Sequence, residues 1–436
     1  MAEQQPILIR IYRSLARALT PLFHVLFWLR CRSGKEIPGR KDERFGRGEE
    51  SRPDGTLIWI HAASVGETMS VLPLIEALSR VGKNVLLTTV TVTAAELAQS
   101  RLPAGSIHQF VPFDAPGPVA RFLDHWNPDL VMVVESEVWP CLFVEMRARS
   151  TPFVLLNGRL SDSSHKSWSR LPRVSGYIFN CLDLVLAQST ADAARFRKLG
   201  CLRVETPGNL KFDAEEPMAD TADLVALKEQ IGARHVWLAA LTHPGEEEIT
   251  LQAFTLLQQE FPELLLVLVP RHPARADEIR DLVEQQGLSI SLRSDSGFID
   301  GQTQVYLGDT LGEMGLYYRL APVTFLGGSF NDAGGHNPVE AALVGSALVT
   351  GPNVSNARAV YKDFWIAGAS VRVREPENLA AAVGKLLGAP EEAQRQSHEA
   401  RALVEAGRGA LQNTLTLLEP YVTVETEDRL REAAHE

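Results

Sequence analysis

The 436-residue chain is 45% hydrophobic and 22% charged, with 32 Gly and 25 Pro, which excludes a disordered, collagen-like or low-complexity protein. A net charge of −11, from 43 basic and 54 acidic residues, argues against a general nucleic-acid binder, because neutralising phosphates needs a basic surface. The four scattered cysteines, Cys31, Cys141, Cys181 and Cys201, form no C-x-x-C pair, so neither a disulfide framework nor a zinc knuckle is expected and a reducing cytoplasm fits. At ~150 residues per domain the length predicts two to three domains.

The amino-terminal segment departs from the acidic average. Before Lys35 the single acid is Glu3, against Arg10, Arg13, Arg17, Arg30 and Arg32. Between Pro6 and Arg32 these arginines are interleaved with Ile7, Leu8, Ile9, Ile11, Tyr12, Leu15, Leu19 and an apolar run from Leu22 to Leu29. That run is shorter than the ~20 residues that cross a bilayer. Pro21 and His24 weaken it further, and no small-residue cleavage site follows. Residues 1–35 therefore read as a basic amphipathic or signal-anchor helix, with Phe23, Phe27 and Trp28 near the acyl boundary. A helix packed on the protein's own body is the alternative.

From Thr56 onward short apolar runs alternate with helical patterns. Strands are predicted at Thr56–Ile60, Asn84–Thr89, Ile107–Pro112, Asp129–Val134, Phe153–Leu156 and Asp183–Ala187, with a helix over about Thr68–Val81. The stretch Asn209–Pro217 reads as a linker. The rhythm restarts with strands at Val236–Ala240, Leu264–Val269, Gln304–Leu307, Val323–Leu326 and Ala347–Val349, and a helical tail follows Ala389. The pattern predicts an α/β protein of two doubly wound, Rossmann-like domains, with ligands at the carboxyl ends of the strands and a cleft between the domains as the default site.

Three motifs in the first half carry chemistry. In His61-Ala-Ala-Ser-Val-Gly-Glu67, Gly66 permits close approach of a substrate and Glu67 stands at a helix start, placed for a general base. The alternative is that Glu67 only completes a capping box with Ser64. In Val134-Glu-Ser-Glu-Val-Trp-Pro140, Glu135 and Glu137 resemble an acidic pair that can hold a divalent metal, and in a strand both would point the same way. No Asp-x-Asp occurs, which argues against a metal-dependent transferase, and solvated strand ends are the alternative. In Pro207-Gly-Asn-Leu-Lys-Phe-Asp213, Lys211 can neutralise a phosphate or carboxylate, or be merely exposed.

The second half is denser. Val269-Pro-Arg-His-Pro273 ends a strand with a cation, and Gly308-Asp-Thr-Leu-Gly-Glu-Met314 joins a strand to a helix. Phe325-Leu-Gly-Gly-Ser-Phe330 precedes Gly334-Gly-His-Asn-Pro-Val-Glu340, where consecutive glycines leave backbone N–H groups for an anion and Glu340 can accept from ribose hydroxyls. Neither a P-loop nor a dinucleotide fingerprint is present. Ordinary strand-to-helix turns would account for one such loop more readily than for three.

In order and spacing, His61–Glu67, Glu135–Pro140, Asn157–Ser161, Gly208–Asp213, Thr242–Glu247, Pro270–Pro273, Gly308–Met314 and Gly334–Glu340 resemble the 3-deoxy-D-manno-octulosonic acid (Kdo) transferases of Gram-negative lipopolysaccharide synthesis. The resemblance runs from the basic amino terminus past Gly351. It implies a GT-B glycosyltransferase with a membrane-anchoring segment 1–35, an acceptor-binding domain 36–212 and a CMP-Kdo-binding domain 213–436. The implied reaction moves Kdo from CMP-Kdo to the glucosamine 6′-hydroxyl of a lipid A precursor, lipid IVA. It inverts the anomeric centre with no metal and no cofactor, on the cytoplasmic side of the inner membrane in contact with its lipid.

By the same resemblance Glu67 is the catalytic base, and Glu137, with Glu135 as the other candidate, and Lys211 stabilise the transition state. Pro270, Arg271, Gly312, Glu313, Met314, Asn337, Pro338, Val339 and Glu340 match the CMP site. Pro244 and the run Asn331-Asp332-Ala333 depart from the family pattern, which bears on the fit around the donor. The alternatives are a GT-B transferase or epimerase using a UDP-sugar, and a non-catalytic nucleotide-binding membrane adaptor.

Overall fold

The computed structural model describes residues 5–295 and 297–422. The chain forms two compact units, one of Met1–Asp213 with the chain from Arg408 onward, the other of Ala214–Gly407.

In the first unit, β1 (Leu57–His61), β2 (Asn84–Thr89), β3 (Ile107–Phe110), β4 (Leu130–Val134), β5 (Phe153–Gly158), β6 (Leu184–Ala187) and β7 (Val204–Glu205) make one parallel sheet in the order β3-β2-β1-β4-β5-β6-β7. Every residue of β1 and β4 is buried, as strands covered on both faces require. Within those apolar runs, parity assigns the layer. Leu57, Trp59, Val131 and Val133 join a cluster with Phe122, Trp126 and Phe143, while Ile58, Ile60, Leu130 and Met132 face Val71, Leu74 and Ile75 on the opposite side. Compared with the sequence reading, β5 runs two residues further and the first long helix begins earlier, spanning Val65–Arg80.

The second unit repeats the plan. Strands β8 (Val236–Thr242), β9 (Leu265–Pro270), β10 (Ile290–Leu292), β11 (Val305–Leu307), β12 (Val323–Leu326), β13 (Ala347–Thr350) and β14 (Val371–Arg372) lie parallel in the order β10-β11-β9-β8-β12-β13-β14. The short strands β7, β10 and β14 went unread in the sequence because two or three residues carry no periodic signal. In each sheet the strand order reverses beside its first strand, between β1 and β4 and between β8 and β12. Ligand-binding crevices of open α/β sheets form at such switch points.

The carboxy-terminal boundary differs from expectation. Instead of staying with the second domain, helix Ala410–Val422 packs on the first unit, where Ala410 and Leu418 are buried against the Ile58–Leu74 layer and Leu411, Leu415 and Tyr421 are partly buried. The reason is an apolar row at helical spacing that meets an apolar layer in the first unit. Asp213 holds the start of that helix, accepting from the N–H groups of Gly409, at 2.7 Å, and Leu411. Residues 423–436 of the expected helical tail lie outside the described residues, as do residues 1–4 of the anchoring segment. The expected linker is also partly docked, since Leu210–Asp213 forms a 3-10 turn with Leu210 and Asn209 buried.

Helix Ile7–Arg32 packs on the protein's own body, as the alternative reading of the amino terminus expected. One side packs on the first unit through Ile9, Ala16 and Phe27, with Phe23 against Phe113 and His24 stacked on Phe45 at 3.9 Å. Arg13 pairs with Glu145 at 2.5 Å. The Tyr12 hydroxyl donates to Asp114 at 3.0 Å, and Asp114 also accepts the Cys141 and Leu142 N–H groups at the start of helix Pro140–Arg149. Another side carries Leu8, Ile11, Leu15, Leu19, Leu22, Leu26 and Leu29, spaced by three and four and each 44–58% exposed. Among the described residues no helix is long and apolar enough to cross a membrane.

Replacing Asp213 by alanine removes both acceptors at the start of helix Ala410–Val422. A lost helix cap typically costs about 1 kcal/mol, so Asp213→Ala should unfold at lower urea with unchanged donor binding. An unchanged unfolding midpoint would mean that the tail is held by its apolar contacts alone.

Candidate active site

The candidate residues divide between the units: Glu67, Glu137 and Lys211 belong to the first, and the nine expected at the CMP site to the second. In the first unit the site is built at the carboxyl ends of β1, β4 and β5. Beyond β1, Ser64 caps helix Val65–Arg80, its hydroxyl oxygen accepting the Glu67 N–H at 3.4 Å. The Glu67 carboxylate turns back toward the strand, accepting from the Ala63 N–H at 2.7 Å and the Ser64 hydroxyl at 3.0 Å. The capping alternative is thus physically present. Its electrostatics nevertheless depart from those of an ordinary capping carboxylate. Burial raises the Glu67 pKa to about 8, helped by the charges of Glu135 and Glu137, and the two hydrogen bonds only moderate the effect. A side chain at Gly66 would meet open space, so close approach there is unobstructed.

Beyond β4 the chain turns sharply. Glu135 adopts a left-handed conformation, φ 60°, while its N–H donates to the Leu156 carbonyl at 2.9 Å. Strand parity therefore stops at Val134, and the two acids go to different partners instead of sharing a face. Glu135 takes the Lys211 ammonium at 2.5 Å, with Arg159 at 3.9 Å. Glu137 accepts from the Trp139 indole N–H at 2.6 Å, and burial raises its pKa. Lys211 is placed by two asparagines. Asn157, also left-handed at φ 49°, accepts the Leu210 N–H at 3.1 Å, and Asn209 accepts the Lys211 N–H at 3.1 Å.

The switch point of the second unit is stitched by a buried carboxylate. Glu246, in the first turn of helix Glu246–Leu257, accepts N–H groups of Gly328, Ser329 and Phe330 at 2.6–2.9 Å and of His243 at 3.1 Å, which joins the loops after β8 and β12. Its neighbour Glu247 binds the Thr242 hydroxyl and Arg275, both within 2.9 Å. His243 and His336 stack with their Nε2 atoms 3.1 Å apart, and both pKa values are pushed down, chiefly by burial.

The expected CMP residues lie around this framework. Pro270 ends β9, and the Arg271 N–H donates to the Thr242 carbonyl at 2.9 Å. Arg271 contributes to holding both histidines neutral. Gly312 is left-handed at φ 86°, and Met314 opens helix Met314–Leu320, which packs on helix Val339–Val344. The Glu313 carboxylate is engaged by Arg293 at 2.7 Å. Asn337 accepts the Val339 N–H at 3.4 Å, Pro338 immediately precedes that helix, and Glu340 in its first turn helps raise the pKa of buried Tyr318. Thr242–Glu247 belongs to the family resemblance in the sequence, but the sequence assigns no role to Glu246 or Glu247; two acids directly after a strand are the available signal.

Comparison with known proteins identifies the lineage. A family model described as 3-deoxy-D-manno-octulosonic-acid transferase (kdotransferase) matches residues 39–214. The probable mitochondrial 3-deoxy-D-manno-octulosonic acid transferase of Arabidopsis thaliana is 36% identical over 397 residues, 88% of each chain. The 3-deoxy-D-manno-octulosonic acid transferase of Bordetella pertussis is 34% identical over 433 residues, 94% of this chain and 99% of that one. The chain belongs to the Kdo transferase family. It is a glycosyltransferase enzyme, as the resemblance in its motifs implied. Among solved structures, S. aureus MnaA with UDP superposes on 86% of this chain and 98% of its own at TM-score 0.56 and 13% identity. A Rickettsia africae glycosyltransferase covers 86% and 100% at TM-score 0.55 and 12% identity. These two share the fold of this Kdo transferase, with paired parallel α/β domains.

The raised Glu67 pKa links the site to stability. The group is favoured in its protonated form on folding, so its contribution is fully present below about pH 4.5 and is lost as pH rises through about 8. Glu67→Gln, permanently neutral, should melt with the wild type at low pH and above it at pH 9. Parallel melting curves across that range would show that the carboxyl is not held in its protonated form.

Proposed function

We propose that this Kdo transferase moves Kdo from CMP-Kdo to the 6′-hydroxyl of a lipid A precursor, lipid IVA, inverting the anomeric centre without a metal. The observation that carries the reading is Glu67, an acid with pKa about 8 at the switch point of the first sheet, beside the Glu135–Lys211 pair. A sugar hydroxyl is a very weak acid, so the task is to take its proton as it attacks. A base of raised pKa is the stronger acceptor, at the cost of a smaller ionised fraction at neutral pH, and positioned bases contribute ~10²–10⁴-fold. The Ala63 and Ser64 bonds fix the carboxylate's direction.

CMP departs as a phosphate monoester, so negative charge grows on the leaving oxygen while the ketosidic carbon becomes oxocarbenium-like. Arg271 and Lys211 answer the first change and the Glu137 carboxylate the second. Gly312–Met314 and Asn337–Glu340, with Pro270, hold the nucleotide in this reading. The metal-free reading is supported by the partners of the two acids: Glu135 is neutralised by Lys211 and Glu137 is bonded to an indole.

The same proposal places the enzyme on the cytoplasmic face of the inner membrane. The leucine stripe of helix Ile7–Arg32 is exposed, and Arg10 and Arg17 beside it are exposed cations suited to anionic headgroups. Because the helix also covers core residues, its deletion would damage the fold. Substituting the stripe tests attachment alone: Leu15→Glu with Leu22→Glu should release the protein from anionic vesicles while sparing CMP-Kdo binding. Undiminished vesicle recovery would remove the stripe from that role.

For the chemistry, Glu67→Gln should bind CMP as the wild type does but transfer Kdo at least about a hundredfold more slowly, the scale of a lost general base. Product mass after incubation with CMP-Kdo and lipid IVA reads donor, acceptor and turnover together. Near-normal transfer by this variant, or displacement of bound CMP by UDP at equal concentration, would overturn the reading.

A further inference from the structure

The second unit carries a cavity of about 350 Å³ beyond the residues assigned above, a volume suited to a small ligand. It opens at the carboxyl ends of β12 and β13, where the loops following those strands supply Asn331, Asp332 and Asn353 and the chain beyond supplies Arg358, Trp365 and Arg372. The wall is built, not loose. The Asn353 N–H donates to the Ser329 carbonyl at 2.9 Å and its side-chain amide to the Asn331 carbonyl at 3.1 Å, while Glu246 pins the backbone leading into the loop. The Arg372 guanidinium lies 4.4 Å over the Trp365 ring and donates to the Pro352 carbonyl at 3.4 Å. The Trp365 indole N–H is buried without a partner among the described residues.

The chemistry of this lining is specific. Two arginines line it, and among the described residues no carboxylate is seen in a salt bridge with either. Guanidinium groups are matched by planar carboxylates or by phosphates through paired N–H bonds. Asp332 on the same wall adds an acceptor for hydroxyl hydrogen bonds, which suits a ligand that carries hydroxyls beside its anionic group. The asparagine amides both donate and accept. A polyhydroxylated acid satisfies every group. Gly334 also lines the cavity, and the expected CMP residue Asn337 follows it by three positions, so the cavity adjoins the nucleotide residues along the chain.

We infer that this cavity receives the sugar acid of the donor, its carboxylate against Arg358 and Arg372 and its hydroxyls against Asp332, Asn331 and Asn353. The inference rests on the CMP-Kdo reading above and assigns its sugar half to residues that the CMP residues do not include. In this arrangement the second unit selects the donor twice, by nucleotide and by acid.

The test separates the two halves. In the full-length enzyme, Arg372→Met and, independently, Arg358→Met, both at exposed side chains, should leave CMP affinity within about twofold of wild type. They should raise the KM for CMP-Kdo by roughly ten- to a hundredfold, the scale of a lost charged hydrogen bond. The wild type should also be inhibited better by free Kdo than by its methyl ester, and each variant should lose that preference. A donor KM unchanged in both variants overturns the inference, as does an equal loss of CMP and CMP-Kdo affinity, which would make the cavity part of the nucleotide site or a structural element. A wild-type enzyme that binds CMP but not CMP-Kdo would instead remove the underlying donor reading.

Discussion

A carboxylate withdrawn from water and set beside two others is the constraint on which this enzyme's first unit turns. Burial and like charge both oppose ionisation of Glu67, and the Ala63 and Ser64 hydrogen bonds recover only part of that cost. The arrangement persists because the fold compensates its neighbours separately. Lys211 neutralises Glu135, and Trp139 gives Glu137 a donor without a charge. One acid is thereby left with a raised proton affinity while the others are held by separate partners.

Backbone strain accompanies this placement. Among the described residues, five non-glycine residues have positive φ, and Glu135, Asn157 and Leu241 among them stand at the ends of β4, β5 and β8. A left-handed turn directly after a strand redirects the next side chains out of the pleat, which is how Glu135 reaches Lys211. Such conformations cost of order 1–3 kcal/mol each and persist where surrounding bonds over-determine them. Here those bonds are visible: Asn157 holds the lysine turn, and the Glu135 backbone pairs with Leu156 and Arg159. In the second unit Glu246 performs the corresponding task with four backbone N–H groups, an acid used wholly as a structural acceptor.

The amino-terminal helix has two unlike sides, one packed on the first unit and one exposed. Arg13 ties it to the helix that follows the Glu135–Trp139 loop, and Asp114 receives both the Tyr12 hydroxyl and that helix's first N–H groups. Its leucine side is left uncovered. Of the three residues expected near an acyl boundary, Phe27 is buried in the protein and Phe23 packs on Phe113, while Trp28 is exposed beneath Arg32.

Much of this was legible in the sequence. Parallel strands buried on both faces appear as continuous apolar runs, so the two α/β halves could be read from composition along the chain, and the motifs fell at strand ends because only there does the backbone leave the sheet. Glu67, the Glu135–Glu137 pair and the Gly334–Glu340 loop were nameable for that reason, Lys211 for its place before the linker, and Glu137 over Glu135 only by the family resemblance. Tertiary structure alone decided which carboxylate Lys211 meets, because the choice depends on where β4 stops and on a left-handed residue, neither of which has a periodic signature. It alone returned helix Ala410–Val422 to the first unit, since an apolar row specifies that it will be covered but not by which layer. It also set the proton affinity of Glu67, which is a property of distance and burial among groups far apart in the chain.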